Sequence, residues 1–305
     1  MSALDLLILG DCNPDLLLTG GDLEPAFGQV ERIVEEARLV IGGSGAITAC
    51  GAARLGLRTG LVALVGDDSF GHFMREALAA RGVDISGVTV DDERSTGVSV
   101  VLVRSQDRAI LTAPGTIDEL SADLIDRSLL GSTRHVHVTS FFLQRRLRPQ
   151  LPELLARVRA DGVSTSLDPN WDPSGDWDGG LLELLEQTDV LLCNAEEARC
   201  LARQDEVEAA AGELAERCPL VVVKLGGEGA LAIAGARSIR APAPPVEVVD
   251  TVGAGDSFDA GFLAGFLAGR PLEESLALAV ACGSLSVRAA GGTAAQATLE
   301  EATAA

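Results

Sequence analysis

The order of strand-like and helix-like segments constrains the fold of this 305-residue chain more than any other feature of its sequence. Short apolar runs alternate with longer amphipathic segments over most of the chain. Such an order is typical of βαβ units, in which helices connect parallel strands and cover both faces of the sheet. We therefore predict one α/β domain over residues 1–305, with a doubly wound, mainly parallel sheet and helices on both faces.

The apolar periodicity predicts where these elements lie. Strands are predicted at 6–10, 59–65, 135–139, 163–168, 188–193, 219–224 and 246–249. Helices are predicted at 46–55, 70–80, 121–130, 149–160, 180–187, 195–203, 207–217 and 272–289.

Two segments, 12–42 and 95–113, interrupt the alternation and have the pattern of antiparallel strand pieces. In the second segment, a hairpin turn is predicted at 105–107. We predict that the two segments form a small β lid inserted into the α/β domain. An exposed β face on such an insertion favours pairing with a second copy, so a homodimer through the lid is expected.

A glycine-rich turn lies between the predicted strand 246–249 and an amphipathic stretch at 258–267, and it reads Asp-Thr-Val-Gly-Ala-Gly-Asp from Asp250 to Asp256. The first N–H groups of a helix have no partner within it, and the helix dipole is positive there. Such a turn can hold an anion against its amides. We infer that Asp256 faces a hydroxyl group while the turn amides face the phosphate that this hydroxyl attacks. The structural alternative is a tight turn in which Asp256 caps the helix.

The composition excludes several partners. The formal charge of −21 opposes binding to a nucleic acid, whose phosphates require clustered Lys and Arg. No apolar run approaches the roughly 18 residues of a membrane span, so we expect no contact with a membrane. The N-terminus lacks the basic region of a signal peptide, and the six cysteines include no Cys-x-x-Cys pair. A cytoplasmic location with reduced cysteines is therefore expected.

Three nucleotide-binding classes are also excluded. Lys224, the only lysine, precedes Leu225, whereas a P-loop requires Ser or Thr at that position. Protein kinases are excluded because no His-Arg-Asp or Asp-Phe-Gly tripeptide occurs. The dinucleotide fingerprint fails because Gly43-Ser44-Gly45 is followed by Thr48 where a third glycine is needed.

Six motifs occur in a characteristic order along nearly the whole chain. They are the Gly-Gly turn and Ala-rich helix of 42–56, Val-Gly-Asp-Asp-Ser-Phe-Gly at 65–71, Asp-Pro-Asn at 168–170, Asn-Ala-Glu-Glu at 194–197, Lys-Leu-Gly-Gly-Glu-Gly at 224–229 and the glycine-rich turn of 250–258. In these motifs the chain resembles the PfkB-type carbohydrate kinases of the ribokinase-like family. The resemblance implies a ribokinase-like fold and transfer of the γ-phosphate of ATP to a hydroxyl of a sugar or related polyol.

The resemblance also implies roles for particular residues. Asp256 would be the general base, and the amides of Gly253, Ala254 and Gly255 would form the anion hole. The substrate would be bound by Asn13, Asp15, Gly42, Gly43 and Asp256.

The nucleotide and ion sites follow from the same resemblance. The nucleotide would be bound by Asn194, Lys224, Gly226, Gly227 and Gly229. Asn194 and Glu197 would organise Mg²⁺ through water, which suits an ion that retains much of its hydration shell. Their structural alternative is an Asn N-cap with a first-turn Glu. Asp250 and Val252 would form a monovalent-cation site, with K⁺ as the candidate ion.

The substrate and the activity leave alternatives open. Ile47 and Trp171 depart from the pattern of many sugar kinases, so a nucleoside or a sugar phosphate is an alternative acceptor. The sugar phosphate ranks lower because no Arg or Lys cluster is evident near the predicted site. A sugar- or nucleotide-binding protein without turnover is the alternative from another class. His135 and His137 are expected to be ordinary strand residues.

Overall fold

The computed structural model describes residues 4–104 and 107–305. Within this part of the chain there are thirteen strands in two sheets. In chain order they are β1 (Leu6–Leu9), β2 (Pro14–Thr19), β3 (Glu36–Ile41), β4 (Thr59–Gly66), β5 (Asp84–Asp91), β6 (Val98–Arg104), β7 (Asp107–Ala113), β8 (His135–Thr139), β9 (Ser164–Asp168), β10 (Val190–Asn194), β11 (Leu220–Lys224), β12 (Ala230–Ala234) and β13 (Arg237–Ala241).

The helices connect these strands and cover the larger sheet. In chain order the described α-helices are α1 (Ser44–Arg54), α2 (Ser69–Ala79), α3 (Arg127–Gly131), α4 (Leu151–Ala160), α5 (Leu181–Leu184), α6 (Ala195–Ala202), α7 (Val207–Leu214), α8 (Ala254–Leu267), α9 (Leu272–Ser286) and α10 (Leu299–Ala304). None of the helices in the described ranges is long and apolar enough to cross a membrane.

The larger sheet has nine strands in the order β13-β12-β11-β10-β9-β8-β1-β4-β5. Its strands pair in parallel, except that β12 pairs antiparallel with both β11 and β13 at one edge. Alternate residues of β1 belong to two different apolar clusters. Leu6 and Ile8 belong to the cluster that includes α1, α8 and α9, whereas Leu7 and Leu9 belong to the cluster that includes α4, α6 and α7. A strand covered on both faces has no polar side, which explains the continuous apolar run of β1. The expected doubly wound α/β fold is thus observed.

The smaller sheet has the order β3-β2-β6-β7 and is formed by strands within the segments 12–42 and 95–113. Its outer pairs are antiparallel, but the central pair, β2 and β6, is parallel. The hairpin turn expected at 105–107 includes residues 105 and 106, which lie outside the described residues. The single-domain division and the role of this sheet as a lid stay predictions.

The predicted strand at 246–249 is wrong. The segment from Pro242 to Gly253 contains no strand, and α8 begins at Ala254. Pro242, Pro244 and Pro245 lie directly before residues 246–249, and proline cannot donate a hydrogen bond to a sheet. Val249 N instead donates to Val287 O at 2.8 Å, beyond the end of α9.

Two predicted helices are in part 3₁₀ turns. The predicted helix 121–130 is a 3₁₀ turn at Ala122–Leu124 followed by the short α3. The Asp123 side chain accepts from Ser121 and that of Asp126 accepts from Ser128, and such local bonds compete with a continuous helix. The helix expected at 180–187 is α5 followed by a 3₁₀ turn.

Candidate active site

Two cavities meet at the turn before α8. The larger, about 600 Å³, is called the glycine cavity. Its wall includes Lys224, Gly226, Gly227, Gly229, Thr251, Ala254, Gly255 and Phe258. The smaller, about 190 Å³, is called the carboxylate cavity. Its wall includes Asp11, Asn13, Asp15, Gly43, Ser44, Ile47, Ser99, Arg108, Asn170, Val252, Gly253 and Asp256. Residues 251–256 therefore contribute to both cavities and separate them.

A third cavity, of about 630 Å³, lies between α3 and α4. Its lining contains none of the residues that the sequence motifs single out. The pair of cavities at the turn is therefore the candidate site.

The turn owes its shape to glycine at its centre. Gly253 precedes the first residue of α8 and has a φ of 71°, in the left-handed region. A Cβ built at this position would lie 2.5 Å from the Cα of Gly292, so a larger residue would displace the neighbouring loop. Gly253 is the N-cap residue, and Asp256 lies in the first turn of the helix rather than capping it. The structural alternative for Asp256 is therefore wrong.

Asp250 stabilises this turn from its N-terminal side. Its Oδ1 accepts from Val252 N at 3.0 Å, and its Oδ2 accepts from Gly291 N at 2.8 Å. The carboxylate thus joins the turn to the loop that contains Gly291. The monovalent-cation site expected at Asp250 and Val252 stays a prediction.

Asp256 faces a second helix N-terminus. Ser44, the first residue of α1, donates a hydrogen bond from its hydroxyl to Oδ1 of Asp256. Asp11 anchors this helix end, because its carboxylate accepts from Ser44 N at 3.1 Å and Gly45 N at 2.9 Å. Desolvation raises the pKa of Asp256 to about 7, the Ser44 hydrogen bond opposes this rise, and the nearby Asp168 adds to it. A carboxylate with this pKa can accept a proton near neutral pH.

The residues predicted to bind substrate lie together. Asn13, Asp15, Gly43 and Asp256 all line the carboxylate cavity. Gly42 lies directly against the Asp15 carboxylate, since a Cβ built there would be 2.0 Å from Asp15 Oδ1. Burial, followed by the charges of Asp11 and Asp256, raises the pKa of Asp15 to about 7. This cavity is therefore suited to hydroxyl groups, which can donate to carboxylate oxygens.

The residues predicted to bind nucleotide fall into two groups. Lys224, Gly226, Gly227 and Gly229 line the glycine cavity beside Ala254 and Gly255. Asn194 and Glu197 instead form a capping box at the start of α6. Asn194 Oδ1 accepts from Glu197 N at 2.9 Å, and Glu197 Oε2 accepts from Asn194 N at 2.8 Å. The structural alternative for this pair is therefore observed, and its role in binding Mg²⁺ or nucleotide stays a prediction.

Several contacts of the site were not predicted from the sequence. Ser44 contacts Asp256, and its only sequence signal is its place as the first helical residue after a Gly-Gly turn. Arg108, from β7, donates to Thr251 Oγ1 at 2.5 Å and lines the carboxylate cavity. The carboxylates of Asp168 and Asp259 bind the ammonium of Lys224. Sequence separation concealed all of these contacts.

The two histidines of β8 are fully buried. His135 hydrogen-bonds to Ser164 and Ser166, and His137 Nδ1 to Ser166, each at 2.7 Å. Burial lowers the pKa of His137 to about 4 and that of His135 to about 3, so both rings are neutral near pH 7. They pack within the sheet, as expected of ordinary strand residues.

Comparison with known proteins defines the class. Residues 3–299 match the family described as pfkB family carbohydrate kinase. The chain is 35% identical to an ATP-dependent ribose-1-phosphate kinase of Halopiger xanaduensis, over 92% of this chain and 91% of that protein. It is 33% identical to a fructokinase of Klebsiella pneumoniae, over 93% of each. A candidate ribokinase II from Escherichia coli, solved in complex with ATP and Mg²⁺, aligns at a TM-score of 0.86 and 28% identity, over 99% of this chain and 98% of that one.

The fold is thus that of a carbohydrate kinase. The chain belongs to the pfkB family. The family inferred from the six motifs, the ribokinase-like fold and the enzyme class, a phosphotransferase with an alcohol group as acceptor, are confirmed.

Proposed function

We propose that this protein transfers the γ-phosphate of ATP to a hydroxyl group of a sugar, with ATP in the glycine cavity and the sugar in the carboxylate cavity. The observation that carries the proposal is the turn at 251–256, which lines both cavities. A phosphate at the first amides of α8 would lie between the two ligands. Phosphoryl transfer depends mainly on positioning and charge stabilisation, and this arrangement supplies both.

In the proposed reaction, Asp256 accepts the proton of the attacking hydroxyl. The sugar oxygen forms a bond to the γ-phosphorus, while the bond from that phosphorus to the bridging oxygen breaks and ADP leaves. Ser44 holds Oδ1 of Asp256 and thereby orients Oδ2 toward the substrate. The amides at Gly253, Ala254 and Gly255 stabilise the charge on the transferred group, because the first amides of a helix have no partner within it.

Asn13 and Asp15 are proposed to bind the sugar hydroxyls. Asn13 Nδ2 donates to Ser99 Oγ at 3.3 Å, which fixes the amide beside β6. The Asp15 carboxylate lies against Gly42 and is 6% exposed. Two oxygens of one carboxylate can accept from two neighbouring hydroxyls, as a sugar diol requires.

A sugar phosphate is a second candidate acceptor, and Arg108 favours it. This guanidinium lines the carboxylate cavity, where it adds a cation near Asp15. Guanidinium groups bind phosphates through two parallel hydrogen bonds. The ribose-1-phosphate kinase of Halopiger xanaduensis, at 35% identity, is consistent with this acceptor. A higher kcat/KM for ribose 1-phosphate than for ribose would support it.

Asn194 and Glu197 are proposed to hold Mg²⁺ through water. The donor set fits a hard cation, because both side chains offer oxygen. Burial, together with the charge of Asp168, raises the pKa of Glu197 to about 7. Within the described residues no group of three or more His, Cys, Asp and Glu could hold a metal by itself, so phosphates and water would complete the coordination. When bound, Mg²⁺ would neutralise charge on the phosphates.

Three further proposals concern the environment of the enzyme. K⁺ is proposed to bind near Asp250 and the carbonyl of Val252, where it would support the turn before α8. We propose a homodimer through the smaller sheet, because Ile110 and Leu111 are 51% and 63% exposed. A cytoplasmic location is proposed because the described cysteines are all free thiols.

The kinase proposal is tested against a binding protein without turnover. ADP release is measured with a panel of sugars, sugar phosphates and nucleosides, with and without Mg²⁺. Asp256→Asn should lower kcat by at least ~10³-fold while ligand binding remains, because the base is lost. Asp161→Asn, at the exposed end of α4, is the matched control and should behave as wild type. Binding of a sugar without turnover by the wild type would favour the alternative.

A further inference from the structure

The single lysine of the chain lies in a buried ionic cluster. Lys224 is the only lysine among 24 lysine and arginine residues. Its Nζ donates to Asp168 Oδ2 at 2.6 Å and contacts both carboxylate oxygens of Asp259 at 3.1 Å. The side chains of Asp168 and Asp259 are 1% and 0% exposed, and that of Lys224 is 12% exposed. The cluster is therefore held away from bulk water, where ionic contacts are strongest.

The three members of the cluster belong to different elements. Asp168 ends β9 and Lys224 ends β11, the two strands that flank β10. Asp259 lies on α8, three residues after Asp256 and therefore on the same side of the helix. Lys224 thus attaches α8, one turn beyond Asp256, to the carboxyl edge of the sheet.

The ammonium also lies beside the proposed anion hole. A Cβ built at Gly255 would be 3.5 Å from Lys224 Nζ. The hydrogen bonds of this ammonium nevertheless go to Asp168 and Asp259. This geometry indicates that Lys224 holds α8 in position rather than contacting the nucleotide directly.

The charges around Asp256 include the Lys224 ammonium, which favours the ionised form of the Asp256 carboxyl. The titratable groups that influence Asp256 or are influenced by it are Asp11, Asp15, Asp168, Glu197, Lys224 and Asp259. Burial raises the pKa of Asp259 well above its usual range, and the Lys224 ammonium opposes this rise. Against the opposing effect of burial, Lys224 holds the pKa of Asp168 low and keeps it ionised. Without the ammonium, this buried charge would have no counter-ion.

We propose that Lys224 is a positioning residue for phosphoryl transfer, which holds the N-terminal half of α8, and with it Asp256, in place through Asp168 and Asp259. The proposal rests on the proposed function, because it assigns the support of the general base in that reaction. A displacement of a reacting group by about 1 Å can reduce the rate ~10²-fold. The positioning role therefore predicts a loss in kcat rather than in the affinity for ATP.

The test compares Lys224→Met with two variants of its partner, Asp259→Asn and Asp259→Leu. Lys224→Met should lower kcat ~100-fold and change KM for ATP less than ~3-fold, because the anchor is lost but the cavity remains. The acid limb of its kcat–pH profile should move to higher pH, since the nearby cation no longer favours ionised Asp256. Asp259→Asn keeps an oxygen for Lys224 and should lose less activity than Asp259→Leu.

Labelling supplies a second readout. With lysine-selective ¹⁵N labelling, the only side-chain ammonium signal belongs to Lys224. This signal should move in Asp259→Asn and stay within its linewidth when a non-hydrolysable ATP analogue saturates the wild type. A large shift with the analogue would instead indicate direct contact with the phosphates and would overturn the positioning role.

The remaining outcomes separate the inference from the proposed function. A KM for ATP raised ~30-fold or more with kcat near that of wild type would assign Lys224 to nucleotide binding and refute the inference. Wild-type kinetics in Asp259→Leu would refute it as well, and this variant decides the matter if Lys224→Met fails to fold. If the wild-type protein has turnover and Asp256→Asn has none, but Lys224→Met is fully active, only the inference about Lys224 fails. If wild type has no turnover with any acceptor, the proposed function itself fails.

Discussion

The hydrogen bond between Ser44 and Asp256 offers a direct test of what sets the pKa of the proposed general base. Ser44→Ala removes only the hydroxyl that donates to Asp256 Oδ1. The backbone N–H of residue 44 can still donate to Asp11, so the start of α1 should remain in place. The perturbation therefore acts on the base with little change in the surrounding fold.

The size of the expected change in the pKa of Asp256 follows from the free energy of the Ser44 hydrogen bond. A hydrogen bond to a charged group contributes about 1.5–3 kcal/mol, and 1.36 kcal/mol corresponds to one pKa unit. The pKa of Asp256 is raised to about 7 by desolvation, against the lowering effect of Ser44. Because Asp256 is only partly buried, the lower end of that range applies, and Ser44→Ala should raise the pKa by about one unit. At pH 7 the ionised fraction should then fall from about one half to about one tenth.

The assay is the pH dependence of kcat from pH 5.5 to 9.5 at saturating ATP and sugar. Ser44→Ala should lose about five-fold in kcat at pH 7 and recover toward the wild-type plateau near pH 9, because only the ionised base is competent. Ser99→Ala is the matched control. This hydroxyl lies in the same cavity but contacts Asn13, so its loss should raise KM for the sugar and leave the acid limb in place.

An acid limb of Ser44→Ala that coincides with the wild-type limb would refute this reasoning. So would an equal loss of kcat at every pH, which would show that Ser44 positions the base without changing its ionisation.

Three more predictions follow from the site and the smaller sheet. Asp15 has a pKa raised by burial to about 7 in the folded state, so its destabilising effect is absent below its unfolded pKa near 3.8 and complete above pH 7. Asp15→Asn should therefore raise Tm at pH 8 but not at pH 4, while kcat/KM for the sugar falls at least ~10-fold because a hydroxyl partner is lost; an equal Tm change at both pH values would contradict this. Gly253→Ala should destabilise by more than ~2 kcal/mol in chemical denaturation, since it adds a clash with Gly292 to the cost of a positive φ, whereas Gly175→Ala, with a positive φ and open space, should cost about 1 kcal/mol. Leu111→Asp should convert the proposed dimer to a monomer in light scattering, and a wild-type monomer at micromolar concentration would exclude the dimer.

The fold class and the family could be predicted from the sequence alone. Strands such as β1 and β11 are buried on both faces, so they consist of continuous apolar runs that can be recognised without a structure. The glycine turn and Asp256 were recognisable for a similar reason, because a turn of positive φ followed by free helix amides requires particular residues at adjacent positions. Where a structural feature depends only on neighbouring residues, the local sequence is sufficient to predict it.

The contacts that join distant segments could not be predicted from the sequence. Ser44 and Asp256 are 212 residues apart, and Lys224 lies 56 residues from Asp168 and 35 from Asp259. No local pattern specifies these contacts, because packing of α1 and α8 on one face of the sheet determines which side chains meet. In the segment 246–249, tertiary context overrides the local preference. Its β-branched residues favour a strand, but neighbouring prolines and a hydrogen bond to the residue after α9 hold it as a loop. The residues proposed to perform the chemistry could be predicted from the sequence, whereas the residues proposed to hold them in place became evident only in the fold.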